Sequence, residues 1–165
     1  MSTQTLSGSL EISVVDWAQT SQTLRQIRTR VFIEEQHVPE ELEWDGLDKT
    51  ALHLLAQIQA PKTTEEHQAS HIACPTEAVG TARIIITNDI AHIGRMAVLP
   101  NWRGKGIGFK ILQKAILECQ QHSVKKIILN AQTYVLNFYQ KAGFKISGDE
   151  FIDAGILHKE MTLLL

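Results

Sequence analysis

The sequence predicts a mixed α/β domain, with a central mixed, twisted sheet of about six or seven strands flanked by helices. Three observations predict it. Short β-branched and apolar runs recur along the chain, each bounded by turn residues. Two longer stretches repeat apolar residues at helical spacing. In the second half the two kinds of segment alternate, as in strand–helix–strand units. The chain has 165 residues, the size of one domain, and 44% of them are hydrophobic, enough for a buried core. Residues 1–9 are expected to be a flexible start and 10–165 the domain.

The first strand is expected over Leu10 to Val15, within "LEISVVDW". A helix follows, with Leu24, Ile27, Arg28 and Val31 on one face and Ser21 or Thr20 as its N-cap. "HVPEELEWDGLDKT" contains Pro39 and Gly46 and reads as a loop. "ALHLLAQIQ" and "VGTARIIIT" read as strands, joined by the long polar loop "APKTTEEHQASHIACPTEA". "IAHIGRMAVL" is another strand, ended by Pro100. A helix from about Gly104 to Gln120 then carries a stripe of Ile107, Ile111, Leu112, Ala115, Ile116 and Cys119. "KKIILNAQ" is a buried strand, and "TYVLNFYQKAG" a short helix closed by Gly143. "FKISGDE" and "ILHKEMTLLL" are the last strands.

The net charge of −2 gives no general electrostatic case for nucleic acid or an anionic membrane as partner. Two cysteines, Cys74 and Cys119, are too few for a disulfide framework and fit a reducing cytoplasm. No apolar run is long enough to span a membrane, and "MSTQTLSGSL" lacks the features of a signal peptide. His67, His71 and Cys74 have ligand-like spacing but no second cluster, so no metal is expected.

"RGKGIG" lies between a strand and an amphipathic helix. Gly104, Gly106 and Gly108 permit unusual φ angles, and amides at the helix start face whatever lies there. Arg103 and Lys105 add charge, making a site the size of a pyrophosphate. The spacing excludes a P-loop, because Lys105 precedes Gly106 and no Ser or Thr follows. It also fails the dinucleotide fingerprint.

The order of Arg103, Gly106 and Gly108 resembles the acetyl-CoA pyrophosphate loop of the GNAT-type N-acetyltransferases. "IGRMAVLP" resembles that family's splayed, bulged fourth strand, and "LNFYQKAGF" its later helix, with Tyr139 four residues before Gly-Phe. "RVFIEEQHVPEELEWDGLD", "IGRMAV", "NAQTYVLNFYQKAGF" and "GILHKEM" together resemble the ElaA-like branch. These blocks run from Val31 to Met161. The first twenty residues and the long polar loop lie outside the match.

The resemblance implies direct transfer of an acetyl group from acetyl-CoA to an amine. The Arg103, Gly104, Lys105, Gly106, Ile107 and Gly108 loop would anchor the diphosphate. Met96, Ala97 and Val98 would hold the pantetheine arm as an added strand. The Val98 N–H, at the bulge, would face the thioester oxygen. Tyr139 stands at the family's general-acid position. A thiol has a pKa near ~8.5 and a phenol near ~10, so a tyrosine is a reasonable proton donor to the leaving thiolate. Asn137 would lie along the arm. The family's helix-start asparagine stands seven residues before the Tyr, where this chain has Gln132, so the amide that touches the cofactor is open. The base is open among Glu34, Glu35, Glu43, His92 and His158, with Glu35 and His158 inside the matching blocks.

Glu34, Glu35, Glu40, Glu41, Glu43, Asp45 and Asp48 crowd one stretch. A carboxylate-lined mouth there, built on Glu34, Glu43 and Asp45 with Trp44 as an aromatic face, would favour a small cationic amine or a basic peptide terminus. Other readings are a non-catalytic acyl-CoA-binding module and a phosphoryl or nucleotide enzyme. The second lacks Walker residues and a Mg²⁺-ligand set. Relatives are often homodimers, but the sequence carries no interface signature.

Overall fold

The computed structural model describes residues 8–59 and 76–165. The strands are β1 (Ser9–Val15), β2 (Leu52–Gln59), β3 (Thr76–Thr87), β4 (Ile90–Val98), β5 (Lys126–Gln132), β6 (Lys145–Asp153) and β7 (Ile156–Leu164). The helices are α1 (Trp17–Arg28), α2 (Glu40–Glu43), α3 (Ile107–Gln121) and α4 (Leu136–Gln140). All seven strands form one sheet in the order β1-β2-β3-β4-β5-β7-β6. Only β4 and β5 run parallel; the other neighbours are antiparallel. The expected mixed α/β class, sheet and element order are borne out.

Several boundaries differ from expectation. α1 starts at Trp17, earlier than a Ser21 or Thr20 cap allows, because the Asp16 carboxylate accepts from the Gln19 N–H at 3.2 Å. Trp17 extends the apolar face, with its ring 4.8 Å from that of His53. Past Arg28 the helix widens into a π-helical turn over Thr29–Glu35. The "HVPEELEWDGLDKT" loop contains α2 and a 3₁₀ turn at Asp48–Thr50. β3 begins at Thr76, inside the expected polar loop. The rest of that loop, with His67, His71 and Cys74, lies outside the described residues, as do residues 1–7.

Two apolar layers sandwich the sheet. On one face Ile107, Ile111, Leu112, Ala115 and Cys119 of α3 pack on Leu54, Ala56, Ile84, Ile127 and Leu129. On the other, Leu24, Ile27 and Val31 pack on Leu55 and Ala97. β2 is therefore covered on both sides, which is why it reads as a nearly continuous apolar run. No helix among the described residues is long and apolar enough to cross a membrane.

Candidate active site

β4 meets β5 over only three residue pairs, Ile90 to Lys126, Ala91 to Ile127 and His92 to Ile128. Beyond His92 the two strands part. Opposite β3 the register slips: Thr81 faces Ala97, yet Arg83 faces Gly94. β4 thus holds one extra residue at Arg95–Met96, a β-bulge, and Arg95 has φ +51°. A left-handed non-glycine residue costs on the order of 1–3 kcal/mol, so its surroundings must hold it there. The bulge reverses the alternation of side chains. Ala91 and Ile93 join the α3 layer, Ala97 joins the α1 layer, and Met96 and Val98 return to the α3 side.

The Leu99 N–H donates to Val79 at 2.9 Å, so Gly80 and Val98 face each other without mutual hydrogen bonds. The N–H and C=O of Val98 therefore point away from β3, into the gap. The bulge lies at Arg95–Met96, two residues before Val98, and not at Val98 as expected. A cleft of about 640 Å³ fills the gap, lined by Met96, Ala97, Val98, Gly108 and Tyr139 among others. A drug-sized ligand fits a volume of this order.

Arg103 and Gly108 line one end of the cleft, whereas Gly104, Lys105, Gly106 and Ile107, expected in the site, are not among the lining residues. Gly104 and Gly106 have φ of +74° and +78°, where side chains are strained. The first helical bond of α3 runs from the Lys110 N–H to Gly106, so the amides of Gly106, Ile107, Gly108 and Phe109 lack helical partners. Together with the helix dipole they suit an anion. Lys105 leans over the Trp102 ring at 5.4 Å. Arg103 spans the mouth: its Nε donates to the Val98 C=O at 2.8 Å, and its Nη atoms grip both Glu35 oxygens at 2.7 and 2.8 Å.

Residues 44–165 match the Acetyltransferase (GNAT) domain family, well over half of the chain. The chain belongs to the GNAT acetyltransferases. YyaT of Bacillus subtilis (strain 168) is 35% identical over 140 residues, 83% of this chain and 84% of that one. The crystal structure of Escherichia coli ElaA superposes with a TM-score of 0.74 at 27% identity, covering 93% of this chain and 99% of that one. A Bacillus subtilis acetyltransferase solved in complex with CoA gives a TM-score of 0.65 at 17% identity, covering 95% and 99%, a likeness of fold. The expected family and its ElaA-like branch are borne out.

Within this GNAT domain, Tyr139 packs among Phe138 and Phe144, and its hydroxyl lies 3.9 Å from the Met96 sulfur. Burial pushes its pKa up to about 12. Glu35 is held below the usual carboxylate range, chiefly by the Arg103 hydrogen bonds. His158 lines the cleft and stacks on Phe151 at 5.8 Å. Its Nδ1 lies 2.8 Å from the Ile156 carbonyl. A carbonyl only accepts, so Nδ1 carries the proton and Nε2 is the basic nitrogen. His92 also lines the cleft. Gln132 uses its amide on Gln36 at 2.9 Å and on the Tyr134 hydroxyl. Asn137 is exposed and is not among the lining residues.

The acidic stretch behaves differently from the expected open mouth. Glu43 is 2% exposed and Asp48 5%. Arg28 donates to Glu43 at 2.5 Å and to Asp48 at 2.7 Å. Arg83 grips Asp45 with two bonds of 2.7 and 2.6 Å and reaches Asp48 at 3.0 Å. Arg95 pairs with Glu43 at 2.9 Å. Three arginines thus neutralise three carboxylates. Hydrogen bonds from Arg83 hold the Asp45 pKa down at about 2. Burial pushes Glu43 up, against the pull of Arg28 and Arg95. Trp44 already carries two cations, Arg25 and Arg28, at 4.4 and 4.8 Å from its ring. Glu34 pairs with Arg30 at 2.8 Å and lines a separate shallow groove against α1. These side chains form a structural network, because a buried carboxylate without a cation would be far costlier.

The sequence reading gave no role to Arg83, Arg95, Gln36 or Tyr134. A signal for the arginines existed. Arg28 sits on the apolar face of α1, and Arg83 stands inside the run "TARIII". A charge on a buried face requires a partner, and the only dense supply of carboxylates is "EEQHVPEELEWDGLD".

Proposed function

We propose that the chain transfers an acetyl group from acetyl-CoA directly to a primary amine of a small molecule or a peptide. The observation that carries this reading is the parting of β4 and β5 beside the left-handed glycine loop. It leaves Val98 and Gly108, the latter one of the free amides at the start of α3, lining a single cleft. Acetyl-CoA supplies the activated acyl group and a diphosphate. Gly104, Lys105, Gly106, Ile107 and Gly108 present amides and charge to that diphosphate. Met96 and Ala97 flank the arm, and the Val98 N–H faces the thioester carbonyl, where negative charge develops. The CoA held by the Bacillus subtilis relative of the same fold supports this choice of donor.

His158 takes the role of base through Nε2, which accepts the amine proton directly or through a water. Glu35 suits that role less while Arg103 binds both its oxygens. Tyr139 returns a proton to the thiolate. Its raised pKa keeps the phenol protonated at every physiological pH. The neutralised acidic network removes the basis for selecting a cationic acceptor by charge. Few cysteines support a cytoplasmic setting.

The alternative is a module that binds acyl-CoA without turnover. The apolar packing of Tyr139, whose hydroxyl meets only the Met96 sulfur among the described residues, favours it. Thiol release from acetyl-CoA across a panel of small amines and peptides decides between them. Amine-dependent release is expected. Tight binding of acetyl-CoA with no release for any amine would leave only the binding module.

A further inference from the structure

We propose that Arg95 is a positioning residue: its guanidinium, anchored on Glu43, holds the β4 bulge that turns the Val98 N–H into the cleft. The inference rests on the acyl-transfer reading above. It begins with the backbone. Arg95 is left-handed at φ +51° without being glycine, in the one place where β4 carries an extra residue. Such a conformation persists only where neighbouring contacts over-determine it.

Those contacts all go to one segment. Arg95 Nε makes an ionic contact of 2.9 Å with a Glu43 oxygen, though not an aligned hydrogen bond. Its Nη2 donates to the carbonyls of Leu42 and Glu43 at 3.0 and 3.3 Å and to Asp45 at 3.2 Å. The segment is itself fixed. Arg28 of α1 binds the other Glu43 oxygen and the Glu43 carbonyl, and Arg83 of β3 binds Asp45. With Glu43 at 2% exposure, water screens its ionic contacts poorly. The chain of contacts therefore runs from α1 and β3, through residues 42–45, to the bulge.

The bulge in turn decides what the cleft sees. Without the extra residue, strand alternation would put Met96 and Val98 on the α1 side and Ala97 on the α3 side. The Val98 amide would then fall into the ladder with β3 rather than face the gap. Arg95 also lines the cleft, but its guanidinium is taken up by residues 42–45. It acts through the direction of the strand.

Arg95→Gly in the full chain is the test, because glycine accepts φ +51° and the change removes only the anchor. The expected result is a kcat on the order of 10²-fold lower, as for loss of one oxyanion donor, with the Kd for CoA by calorimetry within about twofold. Hydrogen exchange at the Leu99 amide, which is bonded to Val79, should quicken while that of Ala115 in α3 stays unchanged. Arg95→Lys keeps the charge but loses the fork, and should recover part of kcat. An unchanged kcat with unchanged Leu99 exchange overturns the proposal, as does a parallel loss of kcat and CoA affinity. If Arg95→Gly fails to fold, Arg95→Lys decides alone, and a wild-type kcat there is fatal. If the wild-type protein releases no thiol with any amine, the acyl-transfer reading fails separately, and Leu99 exchange still decides for Arg95.

Discussion

Tyr139 would serve two demands in the proposed reaction. Its ring belongs to the aromatic cluster of Phe138, Phe144 and, through Phe138, Phe109. Its hydroxyl lies at the wall formed by Met96. Burial that raises its pKa to about 12 makes it a reluctant donor, but it stays protonated over the whole working pH range. Tyr139→Phe keeps the ring and removes the proton. The melting temperature should hardly change, while kcat falls on the order of 10²-fold. CoA affinity, measured by calorimetry, should stay within about twofold. An unaltered kcat would remove Tyr139 from the reaction.

The turn before α3 illustrates control by backbone. Gly104 and Gly106 both have positive φ, and a Cβ at Gly106 would meet no atom within 4 Å. The obstacle to a side chain there is therefore conformational, not steric crowding. Gly106→Ala should cost about 1–2 kcal/mol of loop geometry. The Kd for CoA should rise roughly fivefold to thirtyfold by that cost. Since Gly106 caps α3 and its proposed part is only to hold the diphosphate, kcat at saturating acetyl-CoA should stay near wild type. Equal damage to kcat and Kd would show that the loop does more than anchor. Gly80 makes the complementary case, for a Cβ there would lie 2.8 Å from Ile111 Cδ1 and 2.9 Å from the Ala97 carbonyl. Close packing of α3 on β3 and β4 sets that limit.

At the scale of the molecule, the arginine–carboxylate network joins α1, the 42–48 segment, β3 and β4 across one face of the sheet. Its pH response follows from Asp45. The folded pKa of about 2 lies below the ordinary value of 3.8. The pair therefore stabilises fully above the unfolded pKa and loses its effect as pH falls through the folded one. Discounted for the solvent exposure of Asp45, about 1 kcal/mol should disappear between roughly pH 5 and pH 2. Glu35 and Asp48, also lowered by arginines, add to the loss, whereas Glu43, raised by burial, opposes it. Thermal melts across this range should show the fall, and Asp45→Asn should flatten it. Equal slopes for both proteins would place the acid sensitivity elsewhere.

The element order, the apolar stripe of α3 and the glycine turn could all be read from local pattern. Each depends on neighbours a few residues away along the chain. The same holds for Tyr139, whose spacing from Gly143 places it on one short helix. Other features arise from contacts between residues far apart. The acidic stretch looked like an open mouth because its counterions stand elsewhere, at Arg28, Arg83 and Arg95. The bulge could be expected in β4, but its place depends on pairing with β3 and on the anchor at Glu43. α1 starts early on a local cap from Asp16, and across the fold Trp17 then rests against His53 on β2. Local sequence thus determined most of the secondary structure and the glycine turn proposed to hold an anion. Tertiary structure decided which charges are free, because a charge is spent or available only according to what folds against it.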